Sequence, residues 1–231
     1  MSAEDGRHSR WLGHQEERRQ QVIDAALLVI DEAPAGAEFR VAQIAARGGI
    51  NRSALYRYFE DRADLEVAVQ REICAVAGTE VMGAITLDGT PREIVRRIIS
   101  TYTHWAVAHA SLLRFVERDV AGSTERPLEQ VIAQVADGVE TMIEMLLTLL
   151  GGELSEHDKA SLDPWVFGLI GGCMQAVRRW SSRPVIAPDI DFFVEVLTQG
   201  AWCQIHDLAA SRGVDVPDVP AQTLVAAAAA G

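Results

Sequence analysis

Between Phe39 and Phe59 the chain carries four arginines (Arg40, Arg47, Arg52 and Arg57) and no acid. The same window holds Gln43, Asn51, Ser53, Tyr56 and Tyr58. Guanidinium groups are planar forks that match phosphate oxygens or the O6/N7 edge of guanine. Tyrosine, serine, asparagine and glutamine side chains add hydrogen bonds to phosphates and bases. This residue set suits nucleic-acid recognition. Taken alone, it also fits a solvated arginine face beside two core tyrosines.

The elements around these residues decide how they are presented. Val41, Ile44 and Ala45 share one face of a short helix over Val41–Arg47, which Gly48 and Gly49 end. Asn51 is a good N-cap for a second helix over Arg52–Phe59. Two helices joined by a glycine-containing turn of three to four residues have helix-turn-helix geometry. On the second helix Leu55 and Phe59 are apolar at i,i+4, whereas Arg52 with Tyr56 and Ser53 with Arg57 form outward ridges. Residues near the start of such a helix reach base edges in the major groove, and flanking residues hold phosphates.

The rest of the chain also reads as helix, with no run of alternating β-branched residues bounded by hairpin turns. The spacing predicts helices over Gln15–Glu32, about Arg62–Ile85, a span from Thr90 to Ala108 opened by a capping box with Pro91 at the first helical position, Ser111–Val120, and Pro127–Leu150. Ser155–Trp180 is one helix or two divided near Pro164, and Asp189 caps a last helix to about Ser211. Residues 1–14 are expected to be a flexible arm, and 214–231, rich in proline and alanine, a flexible tail with room for partial helix.

Composition narrows the function classes. The chain has 231 residues and a net charge of −12, which disfavours nucleic acid globally. The basic window can still dominate close to a duplex, because physiological salt screens charges beyond about 8 Å. The longest stretch without Asp, Glu, Lys or Arg is Ile98–Leu113, 16 residues that include polar ones, so no membrane span is expected. A polar start without an apolar core argues against a signal peptide, and the expected location is the cytoplasm. Cys74, Cys173 and Cys203 are odd in number and widely spaced, as buried thiols in a reducing compartment would be. His104 and His109 do not share a helix face, and no metal or cofactor is expected. No nucleophile elbow, phosphate loop, HExxH or carboxylate pair suggests an enzyme.

The run from Gln43 through Ile44-Ala45-Ala46-Arg47-Gly48-Gly49-Ile50-Asn51-Arg52-Ser53-Ala54-Leu55-Tyr56-Arg57-Tyr58-Phe59, with Arg62 and Leu65 behind it, resembles the signature of the tetracycline-repressor (TetR) family. The likeness covers about 25 residues, the turn and both helices. It implies an all-α fold with an N-terminal three-helix helix-turn-helix DNA-binding domain, 15–62, and a larger helical ligand-binding and dimerisation domain, 63–213. It further implies a homodimeric repressor that leaves a near-palindromic double-stranded operator when a small apolar or amphipathic effector binds. An alternative is an effector-sensing helical protein whose helix-turn-helix meets protein partners.

On this resemblance the DNA-contacting candidates are Arg40, Gln43, Asn51, Arg52, Ser53, Tyr56, Arg57, Tyr58 and Arg62. Arg62 replaces the family's usual lysine, Asn51 its serine and Ser53 its glycine. Arg40 stands where a Thr or Ser normally caps the second helix, a loss of about 0.5–2 kcal/mol. Candidate effector contacts are His104, Trp105, His109, Phe115, Met142, Met145, Trp165 and Cys173, although aromatic and Met residues at helical spacing are more often core than pocket. Candidate dimer-interface residues are Gly168, Gly171, Gly172, Trp180, Phe193, Val196, Leu197 and Trp202.

Overall fold

The computed structural model describes residues 5–34, 37 and 39–229, with side chains described from 14 to 226. In chain order the helices are α1 (Asp5–Asp31), α2 (Val41–Arg47), α3 (Arg52–Leu55), α4 (Arg62–Gly83) and α5 (Pro91–Ala108). There follow α6 (Ala110–Val116), α7 (Pro127–Leu149), α8 (Glu156–Ser181), α9 (Ile190–Ala210) and α10 (Ala221–Ala229). No strand occurs among the described residues. The chain forms two compact units, one of residues 1–76 and 109–128, the other of residues 77–108 and 129–231.

In the first unit, α1 contributes Val22, Ile23, Ala26 and Ile30 to a core that also holds Val41, Ile44, Ala45, Leu55, Phe59, Leu65, Val69 and Ile73. α2 and α6 both pack on α1. The boundary expected at 62/63 differs from the observed division, which falls inside α4 after Val76 and assigns α6 to the first unit. Gln70 shows why. Its side chain is 3% exposed and its amide donates to the carbonyls of Phe115 and Arg118 at 3.1 and 2.8 Å, tying α4 to the end of α6. The Phe115 ring meets Phe39 edge-on at 5.4 Å, and the Ser111 hydroxyl donates to the Ala33 carbonyl at 2.7 Å. Replacing Gln70 by leucine keeps the volume but strands these carbonyls in the core. A loss of about 1–3 kcal/mol is expected, read as a lower midpoint in urea with an unchanged slope.

The second unit is built around contacts of α5 with α9 and α8. Ile99, Val194 and Ala201 form one buried cluster, with Val95, Leu169, Cys173, Ile190 and Leu197 packed on it. Ala136, Leu162 and Val166 form a second, and Leu147, Ala209 and Val214 a third. The Thr90–Glu93 capping box is present, with the Thr90 N–H donating to Glu93 at 2.7 Å. α8 runs unbroken through Pro164, so of the two readings the single helix holds. Pro164 forgoes one backbone bond at an exposed position, where water can satisfy the freed carbonyl.

Asp158 closes a capping box with Ser155 at the start of α8 and accepts from Arg212 at 2.6 Å. The Ser155 hydrogen bond, then Arg212, hold its carboxyl down at about 2, against an ordinary value of 3.8. The folded protein therefore binds this proton less readily than the unfolded chain, so the contribution is complete above 3.8 and fades as pH falls towards 2. Thermal melts of wild type and Asp158→Asn should differ most at neutral pH and converge over that acid window.

Two segments differ from expectation. Helix α1 begins at Asp5, so residues 5–14 continue the helix rather than forming a flexible arm; residues 1–4 lie outside the described set. The segment from 214 is docked, with Val214 and Ala221 buried and the Ala221 N–H donating to the Gly89 carbonyl at 2.9 Å. Its apolar residues find a surface that the Pro/Ala-rich composition does not reveal. Residues 230 and 231, at the end of the expected tail, lie outside the described set.

Candidate nucleic-acid interface

The turn between α2 and α3 is set by its glycines. Gly49 adopts φ of +65°, and the Ile50 and Gly49 N–H groups donate to the Ala45 and Ala46 carbonyls at 3.0 and 3.3 Å. This paired closure of a helix end requires a residue tolerant of positive φ. Asn51 then caps α3, its Oδ1 accepting from the Ala54 N–H at 2.7 Å and from the Ser53 hydroxyl at 2.8 Å. The oxygens of Asn51 and Ser53 are thus engaged in shaping the helix start.

The α-helix proper is shorter than the expected Arg52–Phe59, ending at Leu55. Beyond it the Arg57 and Tyr58 N–H groups donate to the carbonyls three residues back, at 3.1 and 3.0 Å. In such a tightened turn residues three apart eclipse, which brings Arg57 over Ala54 instead of onto the expected ridge with Ser53. Burial of Leu55 and Phe59 against the first-unit core anchors the segment from its inner side. Arg52, Ser53, Tyr56 and Arg57 are exposed on the outer side, with Tyr58 half-buried. Among the described residues neither Arg52 nor Arg57 has an ion-pair partner.

The other basic residues are placed differently. Arg47 pairs with Glu32, just past the end of α1, through two contacts of 2.7 and 3.0 Å, so one of the four window charges is locally neutralised. Arg62 contacts Glu66 at 2.6 Å and lies 5.4 Å from the centre of the Phe39 ring. Arg40 is exposed at the start of α2, and Gln43 accepts its N–H at 2.8 Å. A guanidinium cannot accept a hydrogen bond, so the glutamine supplies the half of the cap that this position can have.

The candidate effector contacts do not form one group. His109 and Phe115 lie in the first unit, where His109 contacts Asp31 at 2.9 Å and Phe115 is core. Trp105 is buried, while His104 is exposed, its Nδ1 2.8 Å from the Ser100 carbonyl. Met145 is exposed, Met142 is half-buried, and Cys173 packs on the α5–α9 cluster. Trp165 lines an apolar cavity of about 50 Å³ in the second unit. Sequence periodicity does not single out the rest of that wall, including Ile143, Leu146, Ile205 and Val216, because helical core positions and cavity positions share one spacing.

The candidate interface residues also separate. A Cβ added at Gly168, Gly171 or Gly172 would meet nothing within 4 Å, which leaves that face of α8 open. Val196 is 50% exposed, as are nearby-in-sequence Phe192 (60%) and, on α8, Phe167 (40%). Trp180, in contrast, is consumed within the chain. It stacks on Phe193 at 4.7 Å and donates its indole N–H to the Pro188 carbonyl at 3.0 Å. Leu197 packs on the α5–α9 cluster, and Trp202 lines the apolar cavity.

The cysteines are all free. Burial pushes the Cys74 thiol up to about 12 and raises that of Cys173, whereas Cys203 is exposed, contrary to the expected burial of all three. Its position on the outer face of α9 is the reason. Asp137, Glu140 and Asp163 place carboxylate oxygens within 4.8 Å of one another, and desolvation followed by repulsion from Glu144 and the other two raises the Glu140 carboxyl. Among the described residues no helix is long and apolar enough to cross a membrane.

No family model matches the chain. It is 27% identical over 212 residues to an uncharacterised helix-turn-helix-type transcriptional regulator of Mycobacterium tuberculosis, covering 90% of this chain and 86% of that protein. The fold matches a TetR-family regulator of Streptomyces coelicolor with a TM-score of 0.59 at 21% identity, covering 93% of this chain and 89% of that one. It also matches the regulator FadR of Bacillus subtilis, solved with stearoyl-CoA, with a TM-score of 0.53 at 21% identity, covering 79% and 96%. The helix-turn-helix run, the similarity along most of the chain and the shared fold agree: the chain has the fold of TetR-family regulators and is similar over most of its length to a helix-turn-helix-type transcriptional regulator.

Proposed function

We propose that the protein is a ligand-responsive repressor that binds a near-palindromic operator as a homodimer and leaves it when a small apolar or amphipathic effector binds. The observation that carries the DNA reading is the two-sidedness of residues 52–59. Leu55 and Phe59 are buried, while Arg52, Ser53, Tyr56 and Arg57 face outward with no acidic partner among the described residues. A helix start so exposed can enter a major groove, with Arg52 at base edges and Arg57, Tyr56 and Tyr58 at phosphates. Arg40 and Arg62 flank it as further phosphate contacts, with Gln43, Asn51 and Ser53 beside them. The test is recovery of bound fragments from the source genome across a salt series. Enrichment of one near-palindrome that survives moderate salt supports the reading, and uniform recovery overturns it.

The open glycine face of α8 and exposed Phe167, Phe192 and Val196 support association of two copies through α8 and α9. Light scattering is expected to give a particle of about twice the chain mass of 25.2 kDa. Val196→Asp should shift it to the monomer, since a carboxylate buried at a two-fold contact has no partner. A monomeric wild type at micromolar concentration would refute this arrangement. The stearoyl-CoA bound by the FadR neighbour supports an effector with an apolar part.

A further inference from the structure

The apolar cavity of the second unit lies where two packed clusters adjoin, and Ile143 and Leu154 pack against both. Ile143 and Leu147 of α7, Trp165 of α8 and Leu208 of α9 form its walls. Val216 and Leu224 of the C-terminal segment form its remaining side. Apart from indole N–H groups, no lining side chain carries a polar atom. A molecule held there would find apolar contacts, no side-chain acceptor for a hydroxyl proton and no partner for a charge.

The side made by the C-terminal segment is the weak one. The α10 helix has nine residues, mostly alanine, too short to be stable without docking. Its polar attachments are the Ala221 N–H to the Gly89 carbonyl and Gln222 to Asp88. Ahead of it, Val214 seats on Gly152 so closely that a Cβ at 152 would lie 2.5 Å from Val214 Cγ2. Segments with little buried apolar surface open locally far more often than the core does. At about 50 Å³ the closed cavity is smaller than the roughly 150 Å³ that holds a benzene ring, so occupation requires this side to move.

We propose that this cavity is a binding site for a small uncharged apolar molecule of about one aromatic ring, and that residues 214–226 are its displaceable roof. The site gives the effector reading a place and rests on that reading for any consequence at the operator; binding itself stands apart from it. Because roof and ligand compete for the same apolar walls, weakening the roof strengthens ligand binding.

The test uses the full chain, without DNA, titrated calorimetrically with toluene and with phenol. Toluene should bind saturably and at least about tenfold more tightly than phenol, whose hydroxyl finds no side-chain acceptor. Toluene should also speed hydrogen exchange across 214–226, the Ala221 amide above all, while exchange around buried Val194 stays unchanged. Leu224→Ala should tighten toluene binding several-fold and Ala209→Leu should abolish it. If the latter variant misfolds, exchange in the wild-type chain decides. Equal affinity for toluene and phenol, no saturable toluene binding, or unaltered exchange of the roof at saturation would each overturn the site. A chain that passes these tests but holds its operator unchanged keeps the site and loses its effector role. A chain that releases its operator to a ligand without roof exchange keeps the effector reading and loses this site.

Discussion

Replacing Arg52 and Arg57 together by alanine is expected to weaken binding to the enriched operator by about 100-fold or more, with an unchanged circular dichroism spectrum. Each well-placed arginine–guanine pair carries roughly 1–3 kcal/mol of discrimination, and each 1.4 kcal/mol is a factor of ten. The two side chains are exposed and have no acidic partner among the described residues, so their loss leaves the core intact. The single variants separate the roles. Arg52, at the first position of α3, should on removal relax the sequence preference. Arg57→Ala should instead flatten the salt dependence, by about 0.9 log units per log unit of salt for each phosphate no longer neutralised. Arg47→Ala serves as the contrast, because Arg47 is spent on Glu32 and should affect stability before operator choice. Wild-type affinity in the double variant would remove α3 from the interface.

The second large effect is on stability. Phe59→Ala should cost about 3–5 kcal/mol, the range for emptying a buried aromatic site. The ring is 2% exposed, and the Arg19 guanidinium lies 5.0 Å from its centre, adding about 0.5–1 kcal/mol of cation–π attraction. At roughly 2–4 °C per kcal/mol for a chain of this size, the melting midpoint should fall by about 6–20 °C. Phe59→Leu should fall between the two. Operator binding by Phe59→Ala should survive in the cold and vanish well below the wild-type melting point, since the same ring anchors the tightened turn that follows α3. A midpoint within about 1–2 °C of wild type would contradict the burial of this ring.

How much of the fold is legible in the sequence differs by region. The helix-turn-helix is local in sequence: the Gly48-Gly49 closure, the Asn51 cap and the i,i+4 pair Leu55 and Phe59 lie within twelve residues. Short-range rules apply there with little interference, and the structure reproduces the Gly49 turn and the Asn51 cap directly. The extent of α3 is not legible, because the tightening after Leu55 follows from burying Phe59 against residues distant in the chain. The fate of Arg47 is equally hidden, since Glu32 lies 15 residues away.

By itself the sequence determined the all-helical class, the capped helix starts at Asn51, Thr90 and Asp189, and the outward set of Arg52, Tyr56 and Arg57. Propensity, capping and periodicity act over a few residues, and one chain is enough to read them. Only the tertiary structure decided that His109 and Phe115 belong with α1 and α4, that Trp180 is consumed by Phe193 and Pro188, and that the segment from Val214 roofs an apolar cavity. Each of those outcomes depends on which apolar surfaces meet. The hydrophobic effect that joins them is non-directional and has no signature along the chain, so a core position, a cavity wall and an open face share one spacing until their neighbours are in place.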